Sequence, residues 1–222
     1  MEVISPLQKE ILKTFGEIPD SEQFYLTGGT ALAHFYLKHR KSNDLDFFSS
    51  VPELIAPFSS RLEEKLKSHG MSVERQRGFH SFVELAVERS GETTIIQMAQ
   101  DAVFRFESTV TFPQFPNVKI DNLRDIASNK LLALFGRAAL RDFIDLYALI
   151  QKGKFTAEEL MKMAPQKDPG FDLYWLGVAF ERIRQFREGA PDMLLLLEPV
   201  SLKELRAFFN QWREKIAKEL KS

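Results

Sequence analysis

Residues 24–48 constrain the fold more than any other part of the chain. Phe24–Thr27 reads as a short buried strand, and Gly28-Gly29 breaks it. Thr30–His39 carries Leu32, Phe35 and Tyr36 at helical spacing, and Leu45–Phe48 reads as a second strand entered through the turn Ser42-Asn43-Asp44. A glycine pair between strand and helix lets the backbone turn sharply and approach a ligand closely. The helix start behind it offers free N–H groups that favour phosphate, and Thr30 adds a hydroxyl. Taken alone, such a pair is most often only a tight turn.

Asp44 and Asp46 flank Leu45. Residues two apart on a strand share a face, and adjacent carboxylates repel unless a cation or several donors compensate. A hard divalent ion with oxygen ligands fits, and magnesium brings substrate phosphates with it. An isolated Asp-x-Asp is more often a polar strand entry, with Asp44 capping a turn. Joined to the Gly-Gly-Thr turn, the pair can set a phosphate loop beside metal-binding carboxylates. Two-metal phosphoryl or nucleotidyl transfer requires that arrangement.

The flanking sequence supplies the rest of an α+β fold. Ser5, Pro6 and Gln8 open a helix that runs to about Phe15. A further helix is predicted around Ser60–His69. Extended runs follow at Ser72–Gln76, Ser81–Glu88 and Thr93–Ala99, the last two forming a hairpin about Ser90-Gly91, and Val118–Ile120 is one more strand. This order gives a mixed sheet with flanking helices. From Asn122 on, the chain reads as helical. Thr156-x-x-Glu159 and Ser201-x-x-Glu204 are capping boxes, and Asp168-Pro169-Gly170 is an interhelical turn. The division expected is an α/β core over residues 1–120 and a C-terminal helical region over 121–222. No flexible linker divides them, so they are expected to share one core and the active-site cleft.

Composition narrows the function. With 222 residues, 44% of them hydrophobic, the chain can bury a core without disulfides or a structural metal. The absence of cysteine excludes a disulfide framework and any thiolate zinc site. The four histidines show no paired metal spacing. The first residues, MEVISPLQKE, lack a basic segment followed by an apolar run. Apolar stretches such as Met193–Leu197 are too short to span a bilayer. A cytoplasmic protein with no membrane association is therefore expected. A net charge of -1 argues against a broad electrostatic grip on nucleic acid. The 20 phenylalanines are read as core packing.

A second constellation lies in the segment DIASNKLLALFGRAALRDFIDLYALI, which begins at Asp125. Its periodicity is helical, with Ile126, Leu131, Leu134, Phe135, Phe143, Leu146 and Ile150 as core candidates, and Gly136 is a point where one helix can end and another begin. In a continuous helix Lys130, Arg137, Arg141 and Asp145 would form one stripe; charges on a helix are usually a solvated face.

The stretch YLTGGTALAHFYLKHRKSNDLDFFS resembles the AbiEii/AbiGii toxin family, a branch of the polymerase-beta-type nucleotidyltransferases. The shared elements are Gly28-Gly29-Thr30, His39-Arg40, Ser42 and Asp44-Leu45-Asp46-Phe47-Phe48. Asp125-Ile126, Lys130, Ala133-Leu134, Arg137 and Arg141-Asp142-Phe143-Ile144-Asp145-Leu146-Tyr147 match the same family's second motif. The resemblance spans roughly residues 24–150 and is looser in the tail. It implies a nucleotidyltransferase-like sheet and magnesium at Asp44 and Asp46, with room for two metals. Nucleotide binding would fall to Gly28, Gly29, Thr30, Arg40, Ser42, Lys130, Arg137 and Arg141. Lys130 would hold the phosphates, and Asp142 or Asp145 would serve as base or orienting carboxylate. The implied role is the toxin of a toxin–antitoxin or phage-defence pair, and the implied partners are a nucleoside triphosphate, an RNA or protein hydroxyl as acceptor, and a cognate antitoxin. One departure stands out. The superfamily's third carboxylate is expected on the Thr93–Ala99 strand, where Gln97 stands instead; Glu84 on the preceding strand is the candidate substitute. That departure keeps open the alternative of a catalytically weakened nucleotide-binding or protein-interaction module.

Overall fold

The computed structural model describes residues 2–51, 53–101 and 104–221. Its contacts divide the chain into two compact units, Met1–Tyr36 with Lys41–Asn122, and Leu37–Arg40 with Leu123–Ser222. The last break between the units lies after Asn122. The assignment of residues 37–40 to the helical unit is not apparent from the sequence.

The first unit is built on a seven-stranded mixed sheet, in the order β3-β4-β5-β2-β1-β7-β6. Its strands are β1 (Tyr25–Thr27), β2 (Asp44–Ser49), β3 (Ser72–Gly78), β4 (Phe82–Arg89), β5 (Glu92–Gln100), β6 (Val110–Phe112) and β7 (Phe115–Ile120). The β1–β7 and β2–β5 pairs are parallel, and the others are antiparallel. The hairpin expected about Ser90-Gly91 joins β4 to β5. Both turn residues have left-handed φ, 55° and 80°, which matches the twist of the flanking strands.

Helices α1 (Pro6–Phe15) and α3 (Ile55–Ser68) cover one face of this sheet. The α1 capping box forms as expected, with Gln8 N–H donating to Ser5 Oγ at 3.2 Å and Ser5 N–H donating to Gln8 Oε1 at 3.0 Å. Between helices and sheet lies an aromatic cluster. Phe15 stacks on Phe47 with ring centroids 3.8 Å apart, and Phe24 and Phe58 close around them. All four rings are buried. Helix α3 begins earlier than expected because Pro57 stands in its first turn, where the backbone N–H would have no helical partner. Strand β6 escapes the sequence reading because it is a three-residue, mostly exposed edge without hydrophobic alternation.

In β2 the alternation is clear. Leu45 and Phe47 are fully buried, whereas Asp44, Asp46 and Phe48 on the opposite face are only partly covered. Behind β1 the chain enters helix α2 (Gly28–Ala31), which continues as a π-helical segment, Leu32–Leu37. The glycines expected to break the strand thus form the first helical turn themselves.

The second unit contains α4 (Leu123–Gly136), α5 (Leu140–Gln151), α6 (Ala157–Lys167), α7 (Leu173–Glu181), α8 (Pro191–Leu194) and α9 (Leu202–Glu219). The capping boxes at Thr156/Glu159 and Ser201/Glu204 both form. Its core centres on Phe209, whose ring meets Phe143, Phe180 and Trp212. α4 and α5 are separate helices, because Ala138 between them takes a left-handed φ of 48°. The single continuous stripe of Lys130, Arg137, Arg141 and Asp145 therefore does not exist. Among the described residues, no helix is long and apolar enough to cross a membrane.

Candidate functional site

Asp46 and Glu84 sit in a row of register partners that crosses the sheet. Thr27 on β1 pairs with Asp46 on β2, Asp46 with Gln97 on β5, and Gln97 with Glu84 on β4. Gln97 thus stands beside Asp46, where a third acid is expected, and its Nε2 donates to Glu84 Oε2 at 2.7 Å.

Gly28 is dictated by this geometry. Its φ is +70°, a region L side chains rarely adopt, and a Cβ added there would lie 2.1 Å from Asp46 Oδ2. The bare Cα makes room for the carboxylate. Thr30 is fully buried, and its hydroxyl donates to the backbone carbonyl of Asp44, tying the helical turn to the strand. Ser42 is buried on the approach to β2, and its carbonyl accepts from Gln8 Nε2 at 3.0 Å. The partly buried Asp44 carboxylate has no hydrogen-bond or ion-pair partner among the described residues. A half-covered anion beside a second carboxylate suits a divalent metal. No cluster of three or more His, Cys, Asp or Glu that could hold a metal exists among the described residues, in keeping with an amide at Gln97.

Asp121 supports the same corner and was missed from the sequence. It is buried at the end of β7, accepts from Thr27 Oγ1 at 2.7 Å and is paired with Arg105. A lone acid closing a strand gave no signal beyond its place just before α4.

The helical unit holds a buried ionic cluster centred on Asp145. Arg40 donates from Nε to Oδ1 at 2.6 Å and from Nη2 to Oδ2 at 2.9 Å. His39 Nε2 lies 2.7 Å from Oδ1, and Lys130 Nζ lies 2.6 Å from Oδ2. Lys130 also approaches Asp142 at 3.6 Å, and Arg137 clamps Asp142 through two bonds of 2.9 Å. Arg141 takes no part in this cluster and lies half-exposed on α5. Burial by itself would raise the Asp145 pKa, but the charges of Arg40 and Lys130 and the bonds from Arg40 and His39 hold it well below the usual carboxylate range. Burial likewise disfavours the charged Arg40, yet Asp145 outweighs it and raises the Arg40 pKa.

Residues 37–40 are fixed in this unit by the backbone as well. Leu197 N–H and Glu198 N–H donate to the His39 carbonyl at 2.9 and 3.1 Å, and Arg40 forms a bridge with Leu196. The motif His39-Arg40 was visible in the sequence, but its partner lies 105 residues away from Arg40.

Solved structures share this architecture. MenT4, a nucleotidyltransferase toxin from Mycobacterium tuberculosis, matches over 95% of this chain and 82% of its own, with TM-score 0.62 and 17% identity. JHP933 from Helicobacter pylori matches over 97% of this chain and 90% of its own, with TM-score 0.56 and 20% identity. By fold, this is a nucleotidyltransferase-like protein. The model of the nucleotidyl transferase AbiEii toxin family, a type IV toxin–antitoxin system, matches residues 10–222, and the chain belongs to that family. An uncharacterised protein of Aquifex aeolicus, aq_aa25, is 28% identical over 212 residues, covering 92% of this chain and 93% of its own.

Proposed function

We propose that this protein transfers a nucleoside monophosphate from a nucleoside triphosphate to a hydroxyl of an RNA or protein acceptor, acting as the toxin of a pair with a cognate antitoxin. The observation that carries this reading is the seating of Asp46 against the bare Cα of Gly28, beside an Asp44 carboxylate that has no hydrogen-bond or ion-pair partner among the described residues. Asp44 and Asp46 are the residues that would hold magnesium. When bound, the ion would draw charge from the triphosphate oxygens and orient them.

The remaining steps belong to the chain. Gly28 and Gly29 present backbone to the phosphates without a side chain in the way. Thr30 fixes the helical turn against β2 through the Asp44 carbonyl. Lys130 is assigned to the triphosphate charge, as a compact cation suited to phosphate. A carboxylate surrounded by Arg40, Lys130 and His39 is a poor proton acceptor, so Asp145 acts by orienting Lys130, with Asp142 sharing that task. In the reaction a bond forms between the acceptor oxygen and the α-phosphorus, the bond from that phosphorus to the α–β bridging oxygen breaks, pyrophosphate departs, and the acceptor proton passes to solvent.

Gln97 favours a second reading, in which the site binds a nucleotide without turnover, because an amide replaces a charged ligand. Incubation with magnesium, cell lysate and triphosphates labelled at either the α or the γ position separates the two. Transfer of α label but not γ label to a macromolecule supports the transferase. Tight triphosphate binding with no transferred label supports the second reading.

A further inference from the structure

The row through Asp46 has two candidates for the third oxygen of a cation site, and strand spacing chooses between them. Neighbouring strands lie about 4.8 Å apart. Gln97 is one strand from Asp46, whereas Glu84 is two strands away, on the order of 10 Å. Glu84 lies beyond Gln97 in this row and is bonded to it, so Gln97 is the nearer oxygen donor to Asp46.

The Gln97–Glu84 bond fixes the direction of the amide. A carboxylate can only accept, so the group facing Glu84 Oε2 at 2.7 Å must be the Gln97 NH₂. The amide nitrogen is thereby committed to the β4 side. The oxygen is then the edge of the amide that Glu84 does not engage, and the register neighbour of Gln97 on the side away from Glu84 is Asp46. Arg77, 3.5 Å from Glu84, steadies the far end of the row.

We propose that Gln97 supplies the third oxygen ligand of the cation held by Asp44 and Asp46, and that Glu84 is the positioning residue that holds its amide in the ligating orientation. This rests on the reading of Asp44 and Asp46 as cation ligands. Amide carbonyls are ordinary ligands for hard cations, and ligand charge sets affinity. Two carboxylates and one amide give the site a charge of −2 from three ligands, one unit less than three acids. Such a site holds a free ion weakly and relies on the triphosphate oxygens to complete the shell.

The test uses the intact protein and Mn2+ alone, followed by electron paramagnetic resonance, with thermal melts to confirm folding. Gln97→Leu removes the oxygen and should weaken Mn2+ binding about tenfold, whereas Gln97→Glu adds a charge and should tighten it by a similar factor. Glu84→Gln should weaken binding about tenfold by freeing the amide to flip. The same Glu84→Gln change in the Gln97→Glu background should cost nothing, because a carboxylate has no wrong edge to present. A purely structural Glu84 would weaken both backgrounds alike, and that result overturns the proposal. So does unchanged Mn2+ affinity in both Gln97 variants while Asp44→Asn abolishes binding; in that case the Asp44–Asp46 reading survives. No Mn2+ binding by the unmodified protein, with or without triphosphate, overturns both.

Discussion

Arg40 lays the edge of its guanidinium along the Asp145 carboxylate, Nε to Oδ1 at 2.6 Å and Nη2 to Oδ2 at 2.9 Å, with both side chains buried. This bidentate pair anchors the cluster from which Lys130 extends. Under the proposed function, Arg40 acts on nucleotide binding through Asp145 and Lys130. Asp145→Asn removes the carboxylate charge that Arg40 and Lys130 share and should lower stability by about 3–5 kcal/mol; Arg40→Ala should cost less, because Lys130 still pairs with Asp145. Urea denaturation measures the loss. Arg40→Lys should recover only part of it, because an ammonium cannot make the two parallel bonds.

The same pair sets a pH dependence. The folded-state pKa of Asp145 is depressed, so its contribution to stability is complete above the unfolded-state value, about 3.9, and is lost as pH falls below that toward the folded value. Stability measured from pH 6 downward should fall more steeply below about pH 4 in the unmodified protein than in Asp145→Asn. Parallel curves would remove Asp145 from the account of acid sensitivity.

Lys130 should matter for triphosphate more than for folding. Lys130→Met keeps much of the stem but removes the ammonium. A lost charge-assisted bond to phosphate, about 1.5–3 kcal/mol, corresponds to a fall in kcat/KM of roughly 10- to 100-fold. The expected effect is a raised KM for triphosphate, read from steady-state transfer kinetics. An unchanged KM would confine Lys130 to the ionic cluster.

Gly28 tests the carboxylate seat. An alanine there meets Asp46 Oδ2 at 2.1 Å and must adopt φ +70°. Gly28→Ala should cost about 1–3 kcal/mol in stability. Displacement of the carboxylate by about 1 Å should lower the transfer rate about 100-fold. Retained activity in a stable Gly28→Ala protein would separate Asp46 from the chemistry.

The carboxylate strand and its glycine turn were legible because their signals are local: a positive-φ glycine, a two-residue spacing, an alternating strand. The three capping boxes were legible for the same reason. What remained hidden depends on distance along the chain. Nothing near His39-Arg40 announces an aspartate at position 145, and nothing near Thr27 announces Asp121. The break at Ala138 was undecided because Gly136 permits both a continuous and a divided helix; the left-handed residue that ends the ambiguity is an alanine, for which sequence gives no hint. The neighbours of Gln97 could be named from the sequence as strand residues, but only the register puts Asp46 on one side and Glu84 on the other.

The central claim is that Asp44 and Asp46 support nucleotidyl transfer, and magnesium-dependent release of pyrophosphate tests it most directly. The unmodified protein, supplied with triphosphate, magnesium and cell lysate as the acceptor source, should release pyrophosphate well above the level of equally folded Asp44→Asn and Asp46→Asn variants. Release at the same rate by all three proteins, or none by any of them with every triphosphate, would contradict the account.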